Sequence, residues 1–445
     1  MTVVVLTACG ERDPRLTGER LQIRTPTAIG QEPDPAFEDI VDLTSDLTAV
    51  GVFEGEPRAI GLSAPRANAT WGHPGGTSLQ WINHPVFSAE PRQIWRASVG
   101  QGDSRRAQIT ARPVSDGARI YTLDAASTVA ATTTTGQRVW AVNLTPATDS
   151  SEEASGGGLS VSDGRVFATT AFGNLTALDA ATGGVLWRQD LQAVASGAPT
   201  VRDGLVYVVS RDSRGWAIDV ENGRVRWEVP GIPTLAAFGG GASPAVDERI
   251  SVFPFSSGEV VSTFRQGGFR LWGGEVQGER LGKAYAQIGD ISADPVLRDG
   301  RVYTGNAAGR LVALDITSGA RVWTAEYGIY GPVWPDGGSL FGVTDQGGLV
   351  RLNASDGSLI WRYQLPYFED IRWRRRKTVV AHYGPVIAGG RLYLASGDEV
   401  LRVFDPASGA FVRQISLRSP AAAAPIVVAG TMYILTTDAE LLAFR

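Results

Sequence analysis

The 445-residue chain holds one cysteine, three histidines and two methionines, and each shortage closes a class of chemistry. A lone cysteine makes no intramolecular disulfide, no zinc ribbon and no iron–sulfur ligand set. His73, His84 and His382 stand at no metal-ligand spacing from one another or from the cysteine. There is no Gly-x-Ser-x-Gly nucleophile elbow. The glycine clusters at 156–158 and 239–241 precede strand-like segments rather than a helix, so they read as loops and not as phosphate cradles. Lys and Arg total 41 against 46 Asp and Glu, a net charge of -5, and phosphate neutralisation needs the opposite balance, so no nucleic-acid partner is expected. With 43% hydrophobic and 20% charged residues the chain has ample material for a core.

The amino terminus is apolar but too short to cross a bilayer. Residues 1–8, MTVVVLTA, read as a truncated lipoprotein signal peptide, because Leu6-Thr7-Ala8-Cys9 resembles the lipobox of bacterial lipoproteins. By that resemblance Cys9 is the acylated first residue of the mature chain, and Gly10 after it favours transfer to the outer membrane. Acyl chains contribute about 0.8 kcal/mol per buried CH2, so Cys9 is the expected membrane anchor. Residues 25–57 contain no Lys or Arg while carrying eight acidic residues and several prolines. Such a stretch repels itself and has little to bury, so residues 9–67 read as the anchor cysteine followed by an acidic, proline-rich tether.

The 54 glycines and 12 tryptophans are arranged periodically. An alternating Pro-Val-x-x-Gly-x-Val-Tyr strand leads through a glycine turn to Leu-x-Ala-Leu-Asp, then to glycine four residues after the Asp and tryptophan eight after it. Asp179, Gly183 and Trp187, Asp219, Gly223 and Trp227, Asp315, Gly319 and Trp323, and Asn353, Gly357 and Trp361 follow this spacing. Thr132, Gly136 and Trp140, and Phe264, Gly268 and Trp272, are degenerate copies, and Asp405 and Gly409 end in Arg413. The mean period is roughly 45 residues, the size of a four-stranded propeller blade. The recurring Asp caps a turn, the glycine takes positive φ, and the tryptophan opens an outer strand that packs between sheets. An eighth copy begins at Pro425 and stops one strand short at Arg445, while an orphan outer strand stands at Gln93–Gly100. The expected fold is therefore all-β, an eight-bladed β-propeller of four-stranded antiparallel blades in one domain, 68–445, closed by the amino-terminal strand. A length that suggests several domains is absorbed by one ring.

No Trp-Asp dipeptide occurs, which separates the repeat from WD40. It resembles the quinoprotein-type repeat of PQQ-dependent alcohol dehydrogenases and of the BamB family of outer-membrane β-barrel assembly lipoproteins. The segment Asn68-Ala69-Thr70-Trp71-Gly72-His73-Pro74-Gly75-Gly76 is similar to the Asn-x-x-Trp-x-x-x-Gly-Gly lead-in of alphaproteobacterial BamB members, with His73 and Pro74 as minor departures. The enzymes carry an adjacent-cysteine disulfide, which Cys9 alone forbids, and their calcium ligands and catalytic Asp are marked by no motif here. The BamB resemblance implies a palmitoylated, non-enzymatic lipoprotein on the periplasmic face of the outer membrane. It implies no cofactor, and as partners the POTRA domains of BamA, other subunits of the assembly machinery and nascent β-barrel proteins. The alternatives are a PQQ-dependent dehydrogenase-like protein and a glycan-binding propeller.

By the same resemblance two loops match those that meet BamA. Leu235, Ala237 and Phe238 fall on the first, where the family's arginine is missing; Asp290 falls on the second, where Ser292 replaces the family's other acid. The densest charge run is Arg372, Arg374, Arg375, Arg376 and Lys377, with Trp373 inside it, a basic surface suited to an acidic partner or to lipid headgroups. Cys9→Ala is expected to remove the acyl mass and release the chain from the membrane pellet. Intact-mass spectrometry of the pellet and soluble fractions checks this.

Overall fold

The computed structural model describes residues 50–151, 154, 156–234, 241–276, 278, 288–370 and 378–445. Cys9, Leu235, Ala237, Phe238, Arg372, Arg374, Arg375, Arg376 and Lys377 lie outside the described residues. Among those described, every regular element is a strand, and the strands form eight antiparallel sheets, the blades of a propeller. Blades 1 to 7 take residues 114–143, 157–190, 200–230, 245–275, 296–325, 334–364 and 382–416. Blade 8 takes its three inner strands from 426–444 and its outer strand from Gln93–Ser98, so the two ends of the ring are joined as the repeat implied.

The burial pattern follows from the position of each strand. Arg310–Asp315, third from the axis in blade 5, has sheets on both faces and buries Leu311, Val312, Ala313 and Leu314 completely or nearly so. The outer strand of that blade, Arg321–Ala325, alternates exposed and buried residues because one face meets solvent. Glycines 156–158, taken from the sequence as a loop, in fact open the inner strand Gly157–Ser162 of blade 2.

Tryptophan and glycine lock one blade to the next. A Cβ built on Gly183 would lie 2.7 Å from the Trp140 ring, and on Gly319 2.6 Å from the Trp272 ring. The same clash recurs for Gly223 on Trp187, Gly268 on Trp227, Gly357 on Trp323, Gly409 on Trp361 and Gly136 on Trp95. Each indole therefore lies flat on the glycine of the following blade. Trp140, Trp187, Trp272, Trp323, Trp361 and Trp95 also donate Nε1–H to a carbonyl of that turn, at 2.9 to 3.3 Å. Trp227 is the exception, its buried Nε1 unpaired, and the Arg265 carbonyl at the corresponding place is approached by the Tyr207 hydroxyl instead. Arg413 replaces tryptophan where the next blade is the one split between the chain ends. With no hairpin there to receive a ring, its guanidinium donates to the Ala89 carbonyl at 2.6 Å.

The recurring acids are turn caps. Asp179, Asp315 and Asp405 each accept two backbone amides and a hydroxyl from the residues just ahead. Blade 1 departs from the sequence alignment by one position. Trp140 pairs with Ala131, as Trp187 pairs with Ala177, so Thr133 and not Thr132 holds the Asp place. The turn is one residue shorter, closed from Gly136 N to Thr133 O, with the Thr133 hydroxyl accepting the Gln137 amide.

The tether boundary also moves. Residues 50–67, assigned from sequence to the tether, lie against the body. Phe53–Gly55 adds a fifth strand to blade 6, Phe53 stacks on Trp361 at 6.5 Å, and Glu54 pairs with Arg362 at 3.6 Å. The acidic composition concealed this because only Phe53, Ile60 and Leu62 supply apolar contact in the stretch.

Gly319→Ala and Gly300→Ala separate the two demands on glycine. Both residues have positive φ, but nothing lies within 4 Å of a Cβ at Gly300. Gly300→Ala is expected to cost about 1–2 kcal/mol of left-handed strain. Gly319→Ala should exceed it by about 1–3 kcal/mol of overpacking against Trp272. Urea denaturation of the two variants reads the difference.

Candidate partner-binding face and central cavity

The turns between first and second strands of all eight blades point to one end of the ring, and the connections between blades lie at the other. The first end is closed by residues 63–86, which run once around the axis. Backbone bonds join Trp71 to Ser115 of blade 1, Gly72 to Val161 of blade 2, Ser78 to Val246 of blade 4, and Leu79 to Leu297 of blade 5. Pro85 meets Gly389 of blade 7, and Asn68 meets Ala429 of blade 8. Side chains supply the remaining two. His73 Nε2 accepts the Val201 amide of blade 3 at 3.0 Å, and Asp336 of blade 6 accepts from the Ser63 amide and hydroxyl, both at 3.0 Å. Gln80 donates to Thr200 Oγ1 and to the Pro244 carbonyl, bridging blades 3 and 4. This cap satisfies backbone groups that the inner strands would otherwise leave open at the axis. Burial lowers the pKa of His73 to about 4, so its ring is neutral at neutral pH.

Behind the cap is a cavity of about 660 Å³ that opens at the opposite end. Trp71, Pro74, Gly75 and Gln80 form its floor, and its wall is lined by seven of the inter-blade connections together with Gly157 and Gly158 of the inner strand of blade 2. Arg112 of the connection into blade 1 donates to Asp294 of the connection into blade 5 at 2.7 Å. These blades are opposite members of the ring, so the ion pair crosses the channel. Asp294 Oδ1 also accepts the Ser243 amide at 2.7 Å. His382, at the cavity wall, is likewise held neutral: burial lowers its pKa to about 4, and its ring nitrogens bond Ser396 and the Pro366 carbonyl.

A quinone with its calcium does not fit these residues. The axis is crossed by the Arg112–Asp294 pair, and among the described residues no group of three or more His, Cys, Asp or Glu side chains converges on one point.

Of the sequence-derived partner candidates, only Asp290 and Ser292 are among the described residues. The connections 231–244, 276–295 and 365–381 carry Leu235, Ala237 and Phe238, then Asp290 and Ser292, then the basic run, and all three contribute described residues to the cavity wall. Asp290 is 2% exposed, so it stands behind the surface and not on it. Ser292 donates its hydroxyl to the Ile329 carbonyl at 2.6 Å, tying its connection to the next. Sequence reasoning missed the cap and the Arg112–Asp294 pair. The polar residues within Asn68–Gln80 were the available sign of the cap, whereas nothing marks two residues 182 apart as partners.

These features define a class, the eight-bladed quinoprotein-type propeller with a tryptophan-on-glycine interlock. The family profile described as outer membrane protein assembly factor BamB matches residues 125–363 and 370–445, and the chain belongs to that family. It is 25% identical to outer membrane protein assembly factor BamB of Yersinia pestis over 360 residues, 80% of this chain and 88% of that one. It is also 25% identical to the Burkholderia pseudomallei protein over 374 residues, 81% and 89% of the two chains. The crystal structure of BamB from Moraxella catarrhalis superposes with a TM-score of 0.66 at 17% identity, covering 80% of this chain and all of that one. A quinohemoprotein alcohol dehydrogenase from Comamonas testosteroni gives 0.64 at 14% identity, covering 84% and 80%. These two structural likenesses concern the fold. The cap precedes the first residue of the profile match.

Arg112→Leu leaves Asp294, 4% exposed, without its cation and is expected to cost about 1–3 kcal/mol. Combining it with Asp294→Asn, which keeps an acceptor for Ser243, should recover part of that loss. Thermal denaturation of the single and double variants measures it.

Proposed function

We propose that the chain is a non-enzymatic scaffold lipoprotein of the β-barrel assembly machinery, anchored through Cys9 to the periplasmic face of the outer membrane. It binds the POTRA domains of BamA and assists folding and insertion of β-barrel proteins. Membership of the assembly-factor family carries this reading. The described residues of three long connections share the cavity wall, and this supports the reading because loops of several blades together make a broad docking surface. Leu235, Ala237 and Phe238 supply the apolar centre of the contact, while Asp290 and Ser292 shape the neighbouring connection from behind. The basic run 372–377 provides a charged flank. The dehydrogenase reading is disfavoured by the ion pair across the channel.

The test is affinity recovery from detergent-solubilised membranes. Wild type should bring down BamA, and its absence overturns the reading. Leu235→Glu combined with Phe238→Lys should reduce recovery about tenfold, a loss of about 1.4 kcal/mol, with an unchanged circular dichroism spectrum.

A further inference from the structure

One arginine breaks the repeat. Opposite the interlocking tryptophan, or opposite Arg413 in its place, the neighbouring strand carries alanine in five blades, Ser262 in blade 4 and Val403 in blade 7. In blade 6 the residue opposite Trp361 is Arg351, which is 2% exposed. Its hydrogen bonds all go to neutral oxygens. Nε donates to Ser339 Oγ at 3.0 Å, and the terminal nitrogens donate to the carbonyls of Arg58, of Ala59 at 3.2 Å and of Ala407 at 3.0 Å. A buried cation is costly unless its donors are met, and here two of the four acceptors come from the amino-terminal segment.

That segment is otherwise held lightly. Phe53–Gly55 is three residues long and exposed throughout, and an edge strand of that length is marginal by itself. Bonds from the Gly51 amide to the Gln364 carbonyl at 2.9 Å and from the Glu56 amide to the Ile360 carbonyl at 3.2 Å flank it. Beyond it the Arg58 amide donates to the Ala407 carbonyl at 3.2 Å, so that carbonyl receives both Arg58 and Arg351. Ile60 then rests on Gly337, where an added Cβ would lie 2.7 Å from Ile60 Cγ1. Because Phe53–Gly55 runs antiparallel to Leu359–Gln364, the chain reaches the ring at the end that carries the connections between blades and crosses to the capped end at Ser63.

We propose that Arg351 latches residues 51–60 to the rim of blade 6 as a strap and thereby protects the Arg58–Ala59 peptide bond from proteolysis. The carbonyl of that bond lies on the Arg351 guanidinium, and the amide of Arg58 lies on the Ala407 carbonyl. A protease takes its substrate as a freed, extended segment, so cleavage tracks the population in which the strap has opened. Opening strips a buried guanidinium of two acceptors, which keeps that population small. The arm that precedes residue 59 therefore stays joined to the ring although its own strand is short and exposed. The latch holds whatever that arm carries, and on the reading of Cys9 as the membrane anchor it guards the anchorage.

The probe is trypsin acting on the full chain, with the products identified by intact mass. Residues 25–57 contain no Lys or Arg, so products beginning at Thr25 and at Ala59 are resolved with none between. Wild type should accumulate the first, and Arg351→Ala should yield the second at least about tenfold faster, the weight of one lost hydrogen bond to a charged group. Alanine is the residue of five other blades at this place, so hydrogen exchange should quicken in 51–58 and stay unchanged in Ser339–Val343 and Gly348–Asn353. Arg351→Lys, which keeps the charge but reaches fewer carbonyls, should fall between. If Arg351→Ala does not fold, Gly55→Val frees the strap with Arg351 intact, since a Cβ there would lie 2.2 Å from the Ile360 carbonyl oxygen, and it should open the same bond. Equal cleavage after Arg58 in wild type and in the variant that frees the strap, or quickened exchange throughout blade 6 in Arg351→Ala, overturns the proposal.

Discussion

An indole laid flat on a glycine is the contact on which the ring depends. A twisted four-stranded sheet has two apolar faces, and a circular stack of eight is the arrangement that buries both. The stack holds its spacing because the tryptophan of one blade has only the glycine of the next beneath it, with no Cβ to lift it away. The ring nitrogen fixes the rotation by bonding that turn in six of the seven cases. Truncation of such a ring to alanine would remove about 3–5 kcal/mol of packing. Where the chain ends leave no hairpin to receive a ring, the tryptophan is absent and Arg413 reaches the Ala89 carbonyl instead. The degenerate repeat is thus a consequence of where the ring is cut.

Closing a ring leaves an axis to be dealt with, and here two devices act on it. The cap supplies donors and acceptors to the inner turns of every blade, and the Arg112–Asp294 pair spans the other end. Together they turn a through-channel into a blind cavity with a crossed mouth. The surface available to macromolecules is then the loop-bearing end and the outer edges of the blades. On one of those edges the chain has already placed its own strand, Phe53–Gly55.

Much of the architecture was legible because it is periodic. Alternation, glycine turns and the Asp, Gly and Trp spacing repeat often enough that blade number and closure follow from counting. The repeat slips at Thr132, where a turn is shortened by one residue, since Thr133 takes over the capping role without leaving a compositional trace. The site was less legible. Asp290 reads as an exposed acid from its neighbours in sequence and is 2% exposed in the fold. Residues 50–67 read as tether because acidic and proline-rich composition predicts extension, and extension is also what an added edge strand requires.

The sequence by itself determined the blade, the number of blades and the way the ring closes. These depend on contacts between neighbouring repeats, whose signature recurs at a constant interval. Tertiary structure alone decided the cap, the ion pair across the axis and the burial of Asp290. Each joins residues that are far apart in the chain and occur once.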